Sequence, residues 1–94
     1  MSASQALTLT GALDAAYALA QPLPITAEWR DEYVTVSAPA LGLRAMGQSP
    51  EDALDDLRAA IADRYHDLAG RVDRSASAEA EYAVLREYVT AQHS

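Results

Sequence analysis

The chain has no cysteine, no lysine and no phenylalanine among its 94 residues, and only four glycines and four prolines. Without cysteine there is no disulfide and no thiolate chemistry, and the redox compartment is left open. No apolar run approaches ~18 residues and no basic-then-apolar leader opens the sequence, so no membrane span is expected and cytoplasm is the default location. Positive charge is scarce: seven arginines stand against fourteen Asp and Glu, for a net charge of -7. Affinity for nucleic acid rests on Lys and Arg neutralising phosphates, so direct nucleic-acid binding is not expected and a basic partner is favoured. Arginine without lysine and abundant alanine are the usage of a GC-rich bacterial genome, which concerns origin and not mechanism.

Half of the residues are apolar, an ordinary globular composition, and the length suits one domain over residues 1–94. The most informative stretch runs from Pro24 to Gly70. Two alternating runs, Ile25-Thr26-Ala27-Glu28-Trp29 and Tyr33-Val34-Thr35-Val36-Ser37-Ala38, pair as a hairpin around Asp31-Glu32. Trp29 then faces Val34, Ala27 faces Val36 and Ile25 faces Ala38, all on one face. Thr26, Glu28, Arg30, Tyr33, Thr35 and Ser37 fall on the other. A third run, Leu41 to Met46, places Leu41, Leu43 and Ala45 on one side, and Pro39 marks the end of the second strand.

A helix from Pro50 to about Ala69 follows. Ser49 is an N-cap, Pro50 suits the first helical position, and Asp52 stands where a capping box has its acid. Leu54, Leu57, Ile61, Tyr65 and Leu68 form its apolar stripe, and Gly70 ends it. The first twenty residues are ambiguous: Leu7-Thr8-Leu9-Thr10 alternates like a strand, while Thr10 can cap a helix over Gly11 to Ala20. The helix is the favoured reading, stopped by Gln21-Pro22-Leu23-Pro24. A last helix is expected from Ala78 to about Ala91, within a segment 77–91 capped by Ser77. The fold class is therefore α+β: a three-stranded antiparallel sheet packed on one long helix, with a core at 24–70, an N-terminal helical segment in 1–23 and a C-terminal helix.

No catalytic or metal motif accompanies this pattern. Asp52, Asp56, Asp63 and Asp67 share a helix face, which is the solvated side opposite the apolar stripe, and no Gly-punctuated calcium loop is present. Asp55 is placed to pair with Arg58, and Asp67 with Arg71. His66 and His93 lack a second ligand at helical spacing, and the serines lack a Gly-x-Ser-x-Gly elbow. No enzyme, cofactor or metal is expected. Trp29 is assigned to the core, and the outer face with Glu28, Arg30, Tyr33 and Thr35 is the candidate partner-contact surface.

The run Glu28 to Pro39, followed by Gly47-Gln48-Ser49-Pro50-Glu51-Asp52-Ala53-Leu54, resembles the HicB-like antitoxin domain. That family shows a charged turn, a Tyr-led strand, a Pro-containing loop and a Gly-x-Ser/Thr-x-Glu-Glu-Ala helix start. The match is Gly47, Ser49, Glu51, Ala53 and Leu54, with Asp52 in place of the second Glu, and it covers residues 24–70. The resemblance implies a partial ribonuclease H-like fold without a working nuclease site. It also implies self-association as a homodimer, and masking of a small basic RNA-cleaving toxin by protein–protein contact. The helix-turn-helix or ribbon-helix-helix segment usual in the family is not visible, so operator binding is not expected. A homo-oligomeric structural or regulatory module of the same fold, with no toxin partner, is the alternative.

Overall fold

A computed structural model describes residues 3–91 of the chain. The elements run β1 (Ala3–Leu9), β2 (Tyr17–Leu19), β3 (Leu23–Trp29), β4 (Val34–Ala38), β5 (Leu43–Gly47), α1 (Pro50–Ala69), α2 (Ala76–Tyr88) and β6 (Val89–Ala91). The architecture is α+β. Four antiparallel strands form the main sheet in the order β1-β3-β4-β5, and β2 and β6 form a separate two-stranded sheet.

The hairpin pattern dictates the middle of the sheet. Trp29 pairs with Val34, Ala27 with Val36 and Glu28 with Thr35, the register that puts every apolar partner on one face. The turn closes with Arg30 N–H donating to Tyr33 O at 2.8 Å. On the inner face Leu23, Ile25, Ala27, Val34, Val36 and Ala38 are buried. There α1 meets them with Ala53, Leu57, Ile61, Ala62 and Leu68, also buried. Leu54 and Tyr65, at the margins of the stripe, are half-buried. The Ser49 Oγ accepts from the Asp52 N–H at 3.2 Å, so the helix begins where its cap dictates.

The third strand starts later than its alternation suggests. Leu41 leaves the ladder for a turn in which its N–H and that of Gly42 donate to Ala38 O at 3.0 and 2.9 Å. Gly42 takes φ +68 there, a left-handed conformation that glycine reaches without steric cost. Leu41 is nevertheless buried as part of the core cluster.

Three expectations are corrected. The sheet has four strands, because β1 pairs with β3 along Ala3–Leu9 in an unbroken register. The alternating reading of Leu7 to Thr10 is therefore the one adopted. No helix spans Gly11 to Ala20. Gly11 sits at φ +86, and the Asp14 carboxylate accepts from the N–H groups of Ala16 and Tyr17 at 2.8 Å each. That local side-chain bonding competes with helix formation, and β2 is drawn into pairing with β6 from Tyr17↔Ala91 to Leu19↔Val89. Tertiary pairing overrides the helical propensity of the alanines. The last helix begins at Ala76 on a Ser75 cap and stops at Tyr88, because Val89 leaves it to form β6. Met1, Ser2 and His93 lie outside the described residues.

Trp29 is also corrected: it is half-buried and packs against the core from its margin, as the last residue of β3.

Candidate interaction surface

Strand alternation puts the polar residues of β3, β4 and β5 on the face away from α1. Register then aligns them in rows: Glu28 beside Thr35 and Thr35 beside Met46, with Thr26, Ser37 and Arg44 in the adjacent row. The result is an open groove lined by Glu28, Arg30, Tyr33, Thr35, Arg44, Ala45 and Met46. All four residues assigned to partner contact from the sequence line it.

Its chemistry is mixed. Arg30 and Glu28 form an ion pair at 3.3 Å with both side chains about half exposed, at 50% and 46%. Such a pair contributes little to stability. Arg44 is exposed and has no carboxylate partner among the described residues. Tyr33 is 41% and Met46 59% exposed, two of the three exposed large hydrophobic side chains among the described residues. Aromatic residues, methionine and arginine are the types enriched where proteins touch. Asp31 and Glu32 at the hairpin tip are exposed and add negative charge beside the groove.

Arg44 and Met46 were the groove residues not singled out from the sequence. The signal was present: with Leu43 and Ala45 turned to the core, the period of two sends Arg44 and Met46 outward.

The acidic face of α1 is solvated, with Asp52, Asp56, Asp63 and Asp67 exposed. Asp67 pairs with Arg71 at 2.8 Å as its spacing suggests. Arg58 does not pair with Asp55. It reaches instead to the carbonyls of Thr10 and Ala12 at 2.9 and 2.8 Å, fastening the loop before β2 to the helix. Among the described residues, no group of three or more His, Asp or Glu is placed to hold a metal ion. His66 is exposed, and its Nδ1 lies 2.8 Å from the Tyr17 hydroxyl, so this histidine ties β2 to α1.

A second cluster joins the two helices. Arg64 donates to both carboxylate oxygens of Glu81 at 2.7 Å. The guanidinium holds the Glu81 carboxyl below the usual glutamate range, chiefly through those hydrogen bonds. Tyr65 stacks edge-on to Tyr17 and beside Tyr82, with centroids 5.2 and 5.7 Å away. Burial pushes its hydroxyl up. Arg74 lies 4.2 Å over the Tyr82 ring. Every group in this cluster is engaged within the protein, which makes it a structural joint.

No helix among the described residues is long and apolar enough to cross a membrane. Compared with known proteins, the chain matches no family model, no curated protein and no solved structure.

Proposed function

We propose that the chain acts by protein–protein contact as a HicB-like, antitoxin-type protein. It covers and masks a small basic RNA-cleaving toxin with the outer face of its sheet. The observation that carries this reading is the groove itself, where Tyr33 and Met46 stand exposed among Glu28, Arg30, Thr35 and Arg44. Support also comes from the β3-β4-β5-α1 order over residues 23–69, the order the family resemblance implies. The net charge of -7 would draw a basic partner over distance. Masking needs no chemistry from this chain: a cleft occupied by another surface is closed to RNA.

The test is capture of partners from the native host at low salt, followed by reconstitution of the pair. A small basic protein recovered in near-stoichiometric amount, cleaving RNA alone and silent when this chain is added, is the expected result. Its retention should weaken as salt rises, because opposite charges are screened. A captured protein with no RNA-cleaving activity, or no basic protein at all, would overturn the reading.

A second reading is favoured by one observation, the edge of β1 with which no strand among the described residues pairs. There the chain is a homo-oligomeric structural or regulatory module of the same fold, without a toxin partner.

A further inference from the structure

Charge is unevenly placed along the groove on the outer face of the sheet. At its hairpin end the carboxylates of Glu28, Asp31 and Glu32 stand against one guanidinium, that of Arg30, which Glu28 engages at 3.3 Å. At the other end stands Arg44, exposed and without a carboxylate partner among the described residues. Arg44 lies opposite Ser37, near the end of β4 away from the hairpin turn. At ~3.4 Å per residue this sets it on the order of 15 Å from the acidic tip. Thr35 and Met46 line the groove between them. A wholly cationic segment laid along this surface would meet attraction at the tip and repulsion at Arg44.

We propose that the groove takes a protein segment carrying both signs of charge, with cationic side chains over the acidic hairpin tip and a carboxylate on Arg44. This rests on the reading of the chain as one that masks a basic protein, and it names the part of that partner which the groove selects. A guanidinium presents paired N–H donors that match the two oxygens of a carboxylate, so Arg44 fixes the position of the acid and not only its sign. The two charged ends then set the direction in which the segment lies, and Met46 and Tyr33, both exposed, supply apolar contact along its length.

Arg44 thereby separates partners that net charge does not. A chain of charge -7 attracts every basic protein over distance. Repulsion at Arg44 disfavours those that bring only cations to the groove, and a correctly placed carboxylate turns that repulsion into a contact. The consequence is opposite to what net charge alone dictates: making the chain more acidic at Arg44 weakens its hold on the basic partner.

The test compares the parent with Arg44→Glu and Arg71→Glu, two variants of equal charge. Arg71 is exposed in the link between α1 and α2, outside the groove. Each protein is titrated with the basic partner captured from the native host and with nona-arginine amide, a cationic probe that has no carboxylate. Both variants should bind nona-arginine amide more tightly than the parent does. The captured partner should bind R71E at least as tightly as the parent, and R44E about tenfold more weakly or worse. Circular dichroism establishes that each variant is folded. Should R44E fail to fold, Arg44→Gln, which only removes the charge, should weaken the partner by about fivefold or more. A partner held by R44E as tightly as by the parent overturns the carboxylate assignment alone and leaves the masking reading standing. Equal loss of the partner in R71E, or weaker nona-arginine binding by R44E, also overturns that assignment. Absence of any basic partner overturns the masking reading and this inference together.

Discussion

Glu81 on α2 accepts two 2.7 Å bonds from the single guanidinium of Arg64 on α1. This pair is the polar seam between the two helices, beside the stacked rings of Tyr65 and Tyr82. Its pH behaviour has a definite sign. The folded Glu81 carboxyl titrates below its ordinary value, so its stabilisation is present above the unfolded glutamate pKa and is lost as pH falls through the folded value. At neutral pH, Glu81→Gln should destabilise by about 1 kcal/mol, since both partners remain partly solvated. The gap in melting temperature between parent and variant should close towards acid. A gap that stays constant from neutral pH to pH 3 would show that the pair is not ionised as described.

Gly47 ends β5 against the first turn of α1. A Cβ there would lie 2.5 Å from the Ala53 nitrogen and 2.9 Å from the Asp52 carbonyl carbon. Backbone cannot step aside cheaply, so Gly47→Ala should cost about 1–3 kcal/mol in urea unfolding. Gly11→Ala meets no neighbour and is opposed only by its φ of +86, so its cost comes from backbone strain alone.

Trp29 and Leu57 separate margin from centre. Leu57 is 0% exposed, and Leu57→Ala should cost about 2–5 kcal/mol through lost burial and the cavity left behind. Trp29 is half-buried, so Trp29→Ala should cost less than the about 3–5 kcal/mol of a fully buried tryptophan. Denaturant midpoints for the two variants check the order; a larger loss for Trp29→Ala would place it in the core.

Much of the fold was legible because its signals are local. The period of two in Ile25 to Ala38 set the hairpin register, and Ser49-Pro50 with the Leu57–Ile61–Leu68 stripe set α1. The same alternation separated Glu28, Arg30, Tyr33 and Thr35 from the core, and the register brings them to one groove. What was not legible depends on partners distant in sequence. Residues 11–20 become a loop and a strand because β2 pairs with β6 at the other end of the chain and Arg58 grips the Thr10 and Ala12 carbonyls. Nothing in Gly11 to Ala20 announces those contacts, and Asp14 could equally have stood in a helix. The end of α2 was misplaced for the same reason: Val89 to Ala91 suit a helix until β2 offers a ladder.

The groove makes a prediction about binding that leaves the fold alone. Tyr33 and Met46 are exposed, so Tyr33→Ala and Met46→Ala should leave the melting temperature within about 0.5 kcal/mol equivalent of the parent. Each should weaken a bound partner by about fivefold or more, as truncation of a contact side chain does. Calorimetric titration with the reconstituted partner reads this. Unchanged affinity in both variants would remove the groove from the interface.

Docking of a partner on the outer face of the sheet, as proposed above, is tested most directly by paired capture from the native host at low salt. The parent is compared with a Tyr33→Asp, Met46→Asp double variant shown to be folded. The expected result is a small basic protein in near-stoichiometric amount with the parent and its loss with the variant. Equal recovery by both proteins, or no basic protein with the parent, would contradict it.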